Sequence, residues 1–336
     1  MGSMTEGSNL SRPMLASLVL TAAAIGICWA DDFGGDAGSF NPAAVAFTME
    51  SSRIMAHTVA AASHSRPDTV RAELRALGFA DGRLIQASGV HCAVAVQDDL
   101  VVLAFRGSTT FDDWVTDVKF AQVKGRKTGL TGRVHRGFWA AIDTAWDEIL
   151  LELGPEVANG RRLWITGHSL GGALAQLAAL RATRDGLPVA GVYVYGAPRV
   201  GDERVAEELD AAVPGTLFRI VIADDPVPHM APSDRAEKPF VQLVAGSSQR
   251  SVRWSLRGLM KLTSYRHAGQ RIELRTHGSG QLSPVDDDHD VRFWSEMEQT
   301  FGSGGWLRMF ADGGTAARSH VLSSYVERHG SPDTRP

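Results

Sequence analysis

The chain has 336 residues, 44% of them hydrophobic and 21% charged, a globular balance long enough for one large α/β domain or two smaller ones. Its formal charge of −4 lacks the basic footprint of a polyanion-binding protein, so no nucleic acid partner is expected. Two cysteines, Cys28 and Cys92, cannot form a metal site by themselves and lack CxxC spacing; free thiols are expected, with one disulfide as the alternative.

The opening MGSM reads as a vector remnant ahead of Met4. Residues 13–30, PMLASLVLTAAAIGICWA, carry no charge, follow a lone Arg12 and stop at Asp31-Asp32. They resemble a secretory signal or an anchoring helix, although the length is marginal for a membrane span. The chain is then secreted or membrane-associated, with peripheral or N-terminal membrane contact. The alternative is a cytoplasmic protein whose Ala-rich helix packs on its own domain. Residues 1–40 are accordingly read as an N-terminal extension and 41–336 as a single domain.

A helix is expected from Ala43 to Ala61, started by Asn41-Pro42, and a second from Asp68 to the stop at Gly78. HCAVAVQDDLVVLAFRGS reads as a hairpin turning at Gln97-Asp98-Asp99, with its second arm Leu100–Phe105 continuously apolar as in a buried strand. There follow a helix around Trp139 to Leu153, a strand from Leu163 to Thr166, a helix after Ser169 and a strand from Gly191 to Tyr195. A helix near Asp202 to Ala212 and a strand from Leu217 to Ala223 complete the run. Strands alternating with helices predict an α/β fold: a mostly parallel central sheet with helices on both faces. Ligands on such sheets bind at the carboxyl ends of the strands.

One of those ends carries Gly167-His168-Ser169-Leu170-Gly171. A GxSxG between strand and helix is a nucleophile elbow: the tight turn strains the serine backbone, excludes side chains at the two glycines and lifts Oγ above the sheet edge. The helix N-terminus then aims N–H donors at charge developing on a substrate oxygen. A bare GxSxG can also arise by chance in a chain with 35 glycines; its place at the joint argues for Ser169 as nucleophile. Such a serine needs a base, and the base an orienting carboxylate, in the chain order Ser, acid, His. The strand ending before DDPVP offers Asp224 or Asp225, either of which could be a solvated turn residue. The downstream histidines are His229, His267, His277, His289, His320 and His329. Position alone does not choose among them.

VVLAFRGSTTFDDWVTDV, VHRGF, ITGHSLGGALAQLAAL, VYGAPRVGD, DDPVP, YRHAG and SHVLSSY occur in the order and approximate spacing of the class 3 lipases, the fungal-type α/β-hydrolase family. The chain resembles that family from about Phe47 to Tyr325. The resemblance implies Ser169 as nucleophile, Asp225, directly before Pro-Val-Pro, as the acid, and His320 of the HxLxxY pattern as the base. It implies an oxyanion hole from Ser108 and the Leu170 N–H, and structural roles for Asp117 and His135-Gly137. Family lids follow the RGS motif, which here is the segment Thr109 to Val123; Phe111 and Trp114 give it apolar weight and are alternatively core residues.

Two further segments stand apart from the compact family pattern. QRSVRWSLRGLMKLTSYRH mixes basic and apolar residues as an interfacial helix would, or as a helix packed on its own domain. FGSGGWLRMFADGG sets Trp306, Leu307, Met309 and Phe310 between glycines shortly before His320. It reads as a mobile cover over an acyl pocket. No cofactor is implied and no metal is expected, because no two histidines sit at ligand spacing with an acid. The acidic run Asp286 to Asp290 reads as a solvated loop, with calcium binding as the alternative.

The expected activity is hydrolysis of lipid carboxylic esters of the triacylglycerol lipase type, through an acyl-enzyme, on a lipid ester at a lipid–water interface. The alternatives are a phospholipase A1, a monoacylglycerol lipase, a short-chain esterase or an acyltransferase on the same triad. A lipid-binding scaffold with a dead site is disfavoured, because all three triad positions are filled.

Overall fold

A computed structural model describes residues 36–107, 122–124, 129–230, 233, 264–274, 280–283, 292–293, 295–296, 299, 320 and 322–329. Of the expected N-terminal extension, only residues 36–40 are therefore described. They pack on the helices and strands that follow: the Ala37 N–H donates to Leu77 O at 2.7 Å, and the Phe40 ring meets Trp164 edge-on at 5.2 Å.

The first helix, α1, spans Met49–Ala62 rather than starting at Ala43. Asn41 instead accepts from the Ala43 N–H at 3.0 Å and closes a local turn. Thr48 is the true cap, its hydroxyl accepting from the Ser51 N–H at 3.0 Å. Helix α2, Pro67–Ala76, begins on the proline.

Strands β1 (Asp81–Ala87), β2 (Val90–Gln97) and β3 (Leu100–Phe105) form an antiparallel meander. The hairpin of β2 and β3 turns at Asp98, as expected; β1 was not expected. Its joint to β2 is the two-residue turn Ser88-Gly89, with φ of 49° and 83°. Positive φ at both positions is the twist-matched hairpin geometry, and Ser-Gly between two apolar runs was its sequence signal.

Strands β6 (Arg162–His168), β7 (Val189–Tyr195), β8 (Leu217–Ile222) and β9 (Gln270–Leu274) then add in parallel to β3. An antiparallel β10 (Gly280–Ser283) ends the sheet, in the order β1-β2-β3-β6-β7-β8-β9-β10. Short strands β4 (Gln122–Lys124) and β5 (Arg133–His135) pair apart from it. The crossovers are α3 (Arg136–Ala158), α4 (Leu170–Arg184) and α5 (Glu203–Ala212). A short α6 (Leu322–Arg328) lies near the end of the chain.

Helix α3 runs beyond the expected Trp139 to Leu153 at both ends. It is capped by His135, whose Nδ1 accepts from the Phe138 N–H at 3.2 Å while its ring stacks on Phe138 at 3.8 Å.

The pleat sorts the core into two faces. Val101, Leu103, Phe105, Leu163, Ile165, Val192 and Val194 join Ile142 and Trp146 of α3 and Leu174 and Leu177 of α4 in one buried cluster. The alternate residues Trp164, Tyr193 and Phe218 meet Phe40 and Phe47. Helix α1 lies against β3, β6 and β7 and touches α6. Burying both faces is why β3 is apolar throughout and β8 is apolar but for Arg219, whose buried Nε donates to Ala268 O at 2.7 Å. Cys92, on β2, is a free buried thiol whose pKa burial pushes up; Cys28 lies outside the described residues. No helix among the described residues is long and apolar enough to cross a membrane.

Candidate active site

Strand β6 ends at His168, α4 begins at Leu170, and Ser169 joins them with φ 56° and ψ −126°. A serine rarely adopts this left-handed backbone, which persists only where the surroundings over-determine it. Here they do. The Ser169 N–H donates to Tyr195 O at 2.9 Å, extending the β6–β7 pairing, while Ser169 O already accepts from the N–H groups of Gly172 and Ala173 in the new helix. A Cβ at Gly167 would strike the Gly171 carbonyl, and one at Gly171 would lie 2.5 Å from Phe105 O and Arg106 O. Gly171 therefore lets the end of β3 pass directly beneath the elbow, and Gly167 lets the first turn of α4 fold back over β6.

Asp225 follows β8. Its N–H donates to Ile222 O at 3.0 Å, and its carboxylate is fully buried, whereas Asp224 is exposed. A buried carboxylate must be matched by donors, and three meet this one. The Val227 N–H donates to Oδ1 at 2.8 Å, Tyr325 OH donates to Oδ2 at 2.5 Å, and His320 Nδ1 lies 3.0 and 2.9 Å from the two oxygens. The Nδ1 proton of His320 is fixed by that carboxylate, so Nε2 is left to accept. It faces Ser169 Oγ at 2.9 Å. Tertiary structure thus brings Ser169, Asp225 and His320 into one hydrogen-bonded line, with Leu170 at the first helical position, where backbone N–H groups have no partner inside the helix.

Two residues of this line were missed by reading the sequence. Tyr325 closes the HxLxxY pattern, and burial together with the adjacent Asp225 holds its hydroxyl far above its ordinary pKa. His168 donates from Nε2 to the His320 carbonyl at 2.7 Å and stacks on the His320 ring at 4.8 Å. Burial holds its pKa well below the usual value, with His320 adding to the effect, so His168 is a neutral donor. The signals were the histidine inside GxSxG and the tyrosine five residues after the base.

The other described histidines downstream of Ser169 are engaged elsewhere. His229 stacks on Phe293 at 4.1 Å, His267 donates to Pro228 O at 2.7 Å, and His329 lies against Ser52. His277 and His289 lie outside the described residues. So do Ser108, Phe111, Trp114, Asp117, Trp306, Leu307 and Phe310, and the run Asp286 to Asp290. Gly107, directly before Ser108, is described: a Cβ there would sit 3.1 Å from His168 O, at the elbow.

Residues 102–235 match the family model described as lipase (class 3). Over 155 residues the chain is 37% identical to a secreted mono- and diacylglycerol lipase A of Penicillium cyclopium, covering 45% of this chain and 49% of that one. It is 26% identical over 246 residues to phospholipase A1-II 3 of Oryza sativa subsp. japonica, covering 61% and 56%. The chain thus spans about half the length of the curated relatives it matches. Among solved structures, the native Rhizomucor miehei lipase propeptide complex superposes with a TM-score of 0.54 at 22% identity, covering 74% of this chain and 78% of that one. At that identity the likeness speaks for the fold, an α/β hydrolase with a mainly parallel central sheet.

Proposed function

We propose that the chain is a serine hydrolase of the class 3 lipase family, whose model matches residues 102–235, cleaving carboxylic esters of lipids, with residues 41–336 as the catalytic domain. The observation that carries this reading is the buried line from Ser169 Oγ through His320 to Asp225, 2.9 Å at its first step. In the proposed reaction Ser169 Oγ attacks the ester carbonyl carbon while His320 Nε2 takes its proton. Asp225 holds the Nδ1–H tautomer and stabilises the imidazolium. Oxyanion charge is met by the Leu170 N–H and by Ser108. Collapse expels the alkoxide with the proton returned from His320 Nε2, leaving an acyl-serine. Water, deprotonated by the same nitrogen, then releases the fatty acid.

Acylglycerols are the proposed substrates, supported by the relative named for mono- and diacylglycerols. Phospholipid is a second reading, favoured by the longer match to a protein named phospholipase A1. The secreted names among the relatives support export, and the substrate would be met at a lipid–water interface.

The test is hydrolysis of mono-, di- and triacylglycerol and phosphatidylcholine across a graded chain-length series, above and below the solubility limit, by wild type and Ser169→Ala. Wild type should release fatty acid, and the variant should lose activity by about four orders of magnitude or more. Comparable release by the two proteins would end the assignment of Ser169.

A further inference from the structure

Behind the line of Ser169, His320 and Asp225 lies a second buried polar chain. Ser52 on α1 is fully buried. Its hydroxyl lies 2.7 Å from His329 Nε2 and 3.3 Å from Tyr195 OH, and Tyr195 OH in turn donates to the Ser52 carbonyl. His329 Nδ1 lies 2.6 Å from Tyr325 O. A carbonyl only accepts, so Nδ1 carries the proton, Nε2 accepts, and the Ser52 hydroxyl must donate to it.

Both ends of this chain meet parts of the candidate active site. Tyr195 O takes the Ser169 N–H. Tyr325 donates to Asp225 through its hydroxyl while its own carbonyl is held by His329. Between them is Gly196, where a Cβ would lie 2.6 Å from Asp225 Oδ2 and 2.9 Å from Tyr325 OH, so these groups pack with no slack. The charged or titratable groups nearby are Arg53 and His57, which act on His329, and Arg328, which acts on Tyr325.

We propose that Ser52 and His329 are positioning residues for the triad: they clamp α6 against α1 so that Tyr325 and His320 remain seated on Asp225. The proposal rests on the hydrolase reading above. Neither residue touches substrate; the pair acts through Tyr325.

The test uses the full chain with a soluble short-chain ester. His329→Phe and Ser52→Ala should each lower kcat about tenfold, as misplacement of a reacting group does, with KM changed by less than about twofold. The far-downfield proton resonance of His320 Nδ1–H should shift or broaden in both. His329→Asn, which keeps a donor towards Tyr325 O, should recover most of kcat. In a Tyr325→Phe background, His329→Phe should cost little more, because both changes break one path. Unchanged kcat with a lowered melting temperature, or losses that simply multiply in the double variant, would overturn the clamp. Ser52→Ala removes a single oxygen and carries the test alone where His329→Phe does not fold. Wild-type protein that neither hydrolyses the ester nor reacts with a fluorophosphonate would instead overturn the hydrolase reading itself.

Discussion

At the scale of single residues, Asp224 and Asp225 are the sharpest contrast. They are neighbours of identical chemistry, yet one is exposed and the other is buried under three donors. Asp225→Asn should lower kcat by about 10⁴, because an amide offers its donor to the wrong imidazole tautomer, while Asp224→Asn should leave kcat nearly unchanged. Steady-state kinetics of the two variants decide it, and greater damage at 224 would reverse the assignment. Tyr325→Phe removes one donor from a carboxylate that keeps two others. It should therefore cost far less than Asp225→Asn, about tenfold in kcat, by the general strength of a hydrogen bond to a charged group.

At the scale of elements, the elbow depends on how closely β3 and α4 approach. Gly171→Ala places a methyl 2.5 Å from two main-chain oxygens, which cannot rotate away as a side chain could. The strand end or the helix start must shift, so both activity and melting temperature should fall, with the chain still folded by circular dichroism. A fully active Gly171→Ala would mean that the elbow has more room than these distances allow. The segment Trp306 to Phe310 makes a separate prediction from its composition. If it covers an acyl site, Trp306→Ser with Phe310→Ser should impair emulsified esters much more than soluble ones. Equal loss on both, with a lower melting temperature, would assign those side chains to packing.

At the scale of the whole molecule, buried histidines tie stability to pH. His57 is lowered to about 4 by burial and then by Arg53. His329 is also lowered to about 4, by burial first and by the charges of His57 and Arg53, against the opposing bond to Tyr325 O. An unfolded histidine titrates near 6.5, so between those values the unfolded chain binds more protons than the folded one. Their contribution to stability is complete above about pH 6.5 and is lost as pH falls towards about 4. The urea midpoint should therefore drop between about pH 7 and about pH 5, and His57→Phe should flatten that dependence. A midpoint that is level across this range, or rises on acidification, would contradict the buried neutral state of these rings.

By itself the sequence determined the alternation of strands and helices, the parallel core, and a serine at the joint of β6 and α4. Those features rest on local pattern: apolar runs for strands buried on both faces, glycines where backbones meet, and helix-forming residues after the turn. It did not determine the start of α1, because Asn41 and Thr48 are both good caps; in the folded chain Asn41 closes a local turn and Thr48 caps the helix. It missed β1, β9 and β10, strands at the margins of the sheet, where the half-buried pattern is weak. Nor could spacing choose among six downstream histidines; the resemblance to a family did that. Only tertiary structure placed His320 on Asp225 with Tyr325 beside it, 95 and 100 residues apart along the chain. Contacts at that separation depend on how β8 and α6 pack through the fold, and no local propensity encodes them.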